Sequence, residues 1–144
     1  MKQFKFSLQV VLNLKKDKEE RAKIHLGQLT LNSDKIKADI EKHKAIMASM
    51  GIASCIADAQ ALELYKMRLS REIVKLQSQW LENETKRQQA AMEYAQAVSE
   101  VKAYEKLREK KYHEYKKLVA KEENRQLDEL NQIRRERGRV QYGN

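Results

Sequence analysis

No proline interrupts this chain. Proline removes a backbone donor and clashes with the preceding turn, so its absence leaves helices without a forced break. Two long series of residues at alternating three- and four-residue spacing use that freedom. The first runs Leu8, Leu12, Lys15, Glu19, Ala22, Leu26, Leu29, Ser33, Ile36, Ile40, His43, Met47, Met50. The second runs Leu62, Lys66, Leu69, Ile73, Leu76, Trp80, Asn83, Arg87, Ala90, Tyr94, Ala97, Val101, Tyr104. Most positions in both are apolar, which is the pattern of a coiled-coil seam with polar interruptions. Between the two lies SMGIASCIADAQALEL, residues 49–64, with one Gly, a cluster of small residues and few charges. A break between two seams reads as a hairpin tip, with the helices packed antiparallel.

The composition agrees. A chain of 144 residues is one domain by length. With 35% charged and 6% aromatic residues it cannot bury a thick layered core, yet its 41% hydrophobic residues are regularly spaced, which excludes simple disorder. The expected fold is all-α: an elongated antiparallel two-helix coiled-coil hairpin with helix 2 longer than helix 1. The expected bounds are 7–50 for helix 1, 51–58 for the tip loop, 59–137 for helix 2 and 138–144 for a frayed basic tail. Ser7 suits the first N-cap, with Phe6 and Val11 at staple spacing. Gly51 suits the C-cap of helix 1, and Asp58 the N-cap of helix 2. Gly27 falls mid-helix at a cost of about 1 kcal/mol. Glu19 with Lys23 exemplifies the supporting pairs at four-residue spacing. Lys2 to Phe6 alternates like a strand but is short.

The two helices are unequal. Helix 1 should reach about 65 Å and helix 2 about 115 Å at 1.5 Å per residue. Paired from the tip, helix 1 runs out opposite about residue 103. From there to Ile133 the second helix needs another partner. Tyr104, Tyr112, Tyr115 and Leu118 form an orphan apolar face, continued loosely by Val119, Leu127, Leu130 and Ile133. Such a face self-associates, docks on something else, or is covered by a folded-back terminus.

Chemistry-bearing motifs are lacking. There is no glycine-rich phosphate loop, no nucleophile elbow, no His-Glu-x-x-His and no cysteine pair, so no enzyme, cofactor or metal site is expected. His25, His43 and His113 lie far apart, and His43, on the seam, reads as a satisfied core histidine. The single Cys55 excludes an intramolecular disulfide and fits a reducing compartment. No apolar run approaches the roughly 20 residues that span a bilayer. The first residues lack a signal peptide's apolar core, so the chain reads as cytosolic.

A net charge of +9 draws the chain toward acidic partners. Lys102, Lys106, Arg108, Lys110, Lys111, Lys116, Lys117 and Lys121, with Arg134 to Arg139, could follow phosphates. The interleaved Glu105, Glu109, Glu114, Glu122 and Glu123 favour a solvated helical face, so no specific nucleic acid is expected. The segment FKFSLQVVLNLKK is amphipathic and could lie on a headgroup surface, but the first turns of a coiled coil explain it better, and no direct membrane insertion is expected.

Three stretches resemble the FliJ family of flagellar type III export proteins. Phe4 to Lys16, FKFSLQVVLNLKK, is similar to the family's start. Gly51-Ile52-Ala53-Ser54, followed by Tyr65-x-x-x-Leu69-x-x-x-Ile73, resembles its hairpin tip. Glu122-Glu123-Asn124-Arg125-Gln126-Leu127-Asp128-Glu129 resembles its acidic-glutamine signature near the C-terminus, with Asn124 or Gln126 standing for the usual glutamine. The resemblance implies a non-enzymatic, stalk-like coiled coil that serves flagellum assembly, motility and chemotaxis. It implies a cytoplasmic location, peripheral to the membrane at the flagellar base. The partners it implies are the hexameric export ATPase, the cytoplasmic domain of the export gate and the export chaperones. On that reading Lys110, Lys111, Lys117, Arg134 and Arg135 dock in the ATPase ring. Tyr65 and Leu69, with Ile40 and Met47 opposite, meet the gate. A generic coiled-coil adaptor, a basic nucleic-acid-associated protein and the stalk of a non-flagellar secretion system are the alternatives.

Overall fold

The computed structural model describes residues 3–52 and 55–143, and two helices hold most of them. Helix α1 spans Gln9–Ala48 and helix α2 spans Ile56–Tyr142, 40 and 87 residues. No strand occurs among the described residues. The protein is all-α, with the second helix the longer and the two packed on each other.

The helix ends differ from the sequence expectations, for identifiable reasons. At the start, the Leu8 carbonyl accepts the first four-residue helical bond, from Leu12 N–H at 2.9 Å. Leu8 therefore takes the N-cap place expected for Ser7, and the Phe6–Val11 pair falls outside staple register. Helix α1 stops at Ala48, before Gly51, and no described glycine has a positive φ. Ser49 makes the left-handed glycine unnecessary. Its N–H bonds Ala45 O at 3.0 Å and its hydroxyl donates to Ile46 O at 2.9 Å, satisfying carbonyls the helix leaves open. Ala53 and Ser54 of the expected tip motif lie outside the described residues.

Helix α2 begins earlier than expected, and its cap is Cys55. The Cys55 carbonyl accepts from Ala59 N–H at 2.9 Å, and its Sγ accepts from Asp58 N–H at 3.4 Å. The sulfur occupies the place of a capping Ser oxygen. Asp58 moves to the first turn, where a carboxylate faces the positive end of the helix dipole. At the other end, helix α2 continues through Gly138 to Tyr142, past the expected bound at residue 137. One glycine costs only about 1 kcal/mol, and no proline forces a stop.

The described residues pack in two units. In residues 16–99, Asn32 meets Asn83 and His43 meets Glu72. Moving back along α1 thus moves forward along α2, the antiparallel order. Both seam series hold throughout this unit, with every position buried or half-buried. The deepest apolar residues are Ile40, Leu69, Ile73, Ala90 and Ala97. Small alanines let the backbones approach, which a two-helix core of this width requires.

A polar layer crosses the same core. Asn83 is 5% exposed, donates to Leu29 O at 2.9 Å, and accepts from Asn32 Nδ2 at 3.0 Å. One buried Asn can select a coiled-coil register at a cost in stability. Asn83→Leu is therefore expected to keep or raise the melting temperature while admitting heptad-shifted pairings. Spin labels on the two helices should then show a broadened distance distribution; a single sharp distance would mean the apolar seam alone sets the register. Beside the layer, Trp80 Nε1–H is buried without a partner among the described residues, and Lys37 Nζ sits 5.3 Å from the Trp80 ring centroid.

The other unit comprises residues 3–15 and 100–143. Leu12 is fully buried, worth roughly 1.5–3 kcal/mol, and Val101 is also buried. Lys15 reaches Glu100 across the pair at 2.8 Å. Beyond the helix start, the chain continues without regular structure along α2. There Phe4 packs on Tyr112 and Tyr115, with ring centroids 5.2 and 5.5 Å apart.

Candidate functional site

The site is a surface rather than a cleft, so its chemistry depends on which side chains the seam leaves outside. Of the residues expected to dock in a ring, Lys110, Lys111, Lys117, Arg134 and Arg135 are all exposed on α2. Helical spacing distributes them around the helix. Lys111 pairs with Glu114 at 3.1 Å, an exposed contact worth little in water. The stretch from Lys102 to Lys121 carries eight Lys or Arg against Glu105, Glu109 and Glu114.

The residues expected at a gate divide. Leu69 and Ile40 are buried in the seam, 4% and 7% exposed. Their side chains hold the helices together and are covered from outside. Met47 is half-buried, and Tyr65 is exposed at 45%. Heptad geometry explains the division, because four-residue steps from Tyr65 walk into the core at Leu69 and Ile73.

The face expected to be orphaned is partly covered. Tyr104 is half-buried, and Phe4 lies against Tyr112 and Tyr115. The two tyrosine rings stack at 6.4 Å, with Lys116 Nζ 4.7 Å from the Tyr112 centroid. Leu118 stays exposed, as do Leu127, Leu130 and Ile133. A surface groove beside the cluster is lined by Phe4, Glu105, Arg108, Glu109 and Tyr112. Sequence reasoning did not assign Phe4 to this place. The signal was the length mismatch itself, since an aromatic residue upstream of the shorter helix can continue along the longer one.

His43 is the one seam histidine. Its Nδ1 is 2.7 Å from Asp39 O and its Nε2 is 2.8 Å from a Glu72 carboxylate oxygen. Both neighbours are acceptors, so the doubly protonated ring satisfies both. The Asp39 carbonyl first, then the Glu72 carboxylate, push the His43 pKa above its ordinary value of 6.5, against opposition from desolvation. A raised pKa means the folded state binds the proton more tightly. The stabilisation is complete below the unfolded pKa and is lost as pH rises through the folded one. The wild-type chain is therefore expected to lose stability relative to His43→Gln between about pH 6 and 8. Urea midpoints at the two ends of that range test this; parallel curves would mean that the His43–Glu72 contact carries no linkage. Lys15 is likewise held protonated by its hydrogen bond to Glu100.

Among the described residues no group of His, Cys, Asp and Glu is placed to hold a metal, and no helix is long and apolar enough to cross a membrane. The geometry defines an antiparallel coiled-coil protein that presents charged and apolar rows to its surroundings. A family model described as "Flagellar FliJ protein" matches residues 4–139. The chain belongs to the FliJ family and is a component of the flagellar export apparatus. No curated protein and no solved structure matches it.

Proposed function

We propose that this chain is a non-enzymatic, stalk-like coiled coil that docks in the hexameric flagellar export ATPase. It couples that ATPase to the cytoplasmic domain of the export gate and assists the cycling of export chaperones. Its place is the cytoplasmic side of the membrane at the flagellar base. The observation that most supports docking is the exposed basic residues of α2 beyond Tyr104, where the two-helix seam ends. Lys110, Lys111, Lys117, Arg134 and Arg135 carry it by long-range attraction to an acidic ring surface. The gate contact falls to Tyr65 and the rim of Met47, because Ile40 and Leu69 serve the seam.

The test is hydrolysis by the purified hexameric ATPase against added chain. Stimulation that saturates near one chain per hexamer supports docking. No binding and no stimulation, with both proteins folded, returns the chain to a generic adaptor role within the apparatus. Binding to arbitrary DNA that weakens steeply with salt would instead indicate phosphate-driven association.

A further inference from the structure

Ahead of α1 the chain is held on α2 by rings. Residues 3–6 have no regular structure, and residues 7 and 8 form a turn. Phe4 packs edge-on against Tyr112 and tilted against Tyr115. Both phenylalanines of the segment, Phe4 and Phe6, are only half-buried. Ordering an irregular segment costs backbone and side-chain entropy, and here no helical ladder offsets it. Such segments open at the low end of local stability. The attachment also ends sharply. Leu8 O accepts the first helical bond from Leu12 N–H, Leu12 is fully buried, and Lys15 reaches Glu100 at 2.8 Å. Residues 3–7 can therefore leave α2 while the start of α1 stays in place.

What they cover is the aromatic part of the basic stretch. Tyr112 and Tyr115 stack on each other, and Lys116 Nζ lies over the Tyr112 ring. Arg108, Lys110, Lys111 and Lys117 are exposed close by in sequence. At interfaces Tyr and Arg supply much of the affinity, whereas exposed lysines mainly steer the encounter.

We propose that residues 3–7 are an autoinhibitory strap: Phe4 occupies Tyr112 and Tyr115 in the free chain and swings away before those rings meet the docking partner. The inference rests on the proposal that this stretch docks in the export ATPase. A groove borders Phe4, Arg108 and Tyr112, so a partner side chain can enter beside the Phe4 ring before displacing it. The lysines stay outside the strap, and charge still draws the partner to a closed chain. The strap therefore acts on affinity and leaves the salt dependence of the encounter unchanged. When the competent state is only fractionally populated, the apparent affinity falls by that fraction.

Two measurements test it. In the free chain, a spin label at Gln3→Cys reads the strap directly; the background is Cys55→Ser, because Cys55 is exposed and would also be labelled. The spectrum is expected to hold an immobilised component and a minor mobile one, and Phe4→Ala to leave the mobile one alone. A label that is wholly immobilised, or that Phe4→Ala does not change, overturns the strap. For docking, stimulation of the purified hexameric ATPase is titrated with the wild-type chain, Phe4→Ala and Phe4→Trp, each shown to melt like wild type. With the strap closed in about nine chains of ten, Phe4→Ala is expected to lower the half-saturating concentration about tenfold at every salt concentration. Phe4→Trp keeps a ring on the tyrosines and should leave it unchanged or raise it. Equal half-saturation for Phe4→Ala and wild type overturns the proposal while docking stands. Weaker stimulation by Phe4→Ala overturns it too, and makes Phe4 part of the docking surface. No stimulation by any of the three removes the docking reading itself, and the inhibitory role with it.

Discussion

Leu69→Ala is expected to lower the free energy of unfolding by about 2–5 kcal/mol. Leu69 is 4% exposed in the seam, one turn from Ile73, which is 9% exposed. Truncation removes its transfer free energy and leaves a void between two helices whose other side is solvent. A core only two helices thick has no third layer to collapse into that void. Tyr65→Ala, four residues away on the exposed side, should stay within about 0.5 kcal/mol. Urea unfolding of both variants, with unchanged m-values, measures the contrast. Equal midpoints would mean that Leu69 contributes no more to the fold than a surface residue. The consequence for function is direct. Loss of gate binding by a Leu69 variant reports a weakened hairpin, whereas loss by Tyr65→Ala with an intact melting curve reports a contact. Retained binding by Tyr65→Ala removes the tyrosine from that role.

Replacing Lys110, Lys111, Lys117, Arg134 and Arg135 together with Glu is expected to abolish stimulation of the export ATPase. Each replacement changes the charge by two, so the formal net charge falls from +9 to about −1. All five side chains are exposed, and Glu is a strong helix former, so helix content by circular dichroism should be preserved. The substitutions break the ion pair of Lys111 with Glu114, which lies on the surface and is of small worth. Attraction becomes repulsion while the helix stays intact. Raising salt should weaken wild-type stimulation in the same direction, since exposed charges beyond a Debye length of about 10 Å are screened at 0.1 M. Undiminished stimulation by the reversed chain removes these residues from docking and points to the aromatic surface around Tyr112 instead.

The core was legible because its rule is one-dimensional. Three- and four-residue spacing alone places Leu12, Ile40, Leu69, Ile73 and Val101 inside, and all five are buried. It also places Asn83 and His43 on the seam, where the polar layer and the Glu72 contact are found. The ends were not legible, because a helix end is decided by which single group satisfies a few backbone atoms. Cys55 captures Asp58 N–H and moves the start of α2, and Ser49 closes α1 without the glycine. The pattern Cys-x-x-Asp resembles a capping box with sulfur in place of oxygen, a signal that favouring Asp58 overlooked.

The candidate site was legible only in part. The exposed basic residues could be read from their positions off the seam. The residues proposed for a gate contact could not be separated, because a motif records spacing while burial decides which members are reachable.

The sequence by itself determined that the chain forms two long helices, which faces pair, and that the second helix outlasts the first. These follow from periodicity and the absence of proline, which act locally along the chain. Only the tertiary structure decided that Phe4 covers Tyr112 and Tyr115, that Ile40 and Leu69 are enclosed, and that Met67, Val74 and Leu81 stand outside in one row. Those outcomes depend on which surfaces the partner helix and the N-terminal segment occupy, and contact across space has no period in the chain.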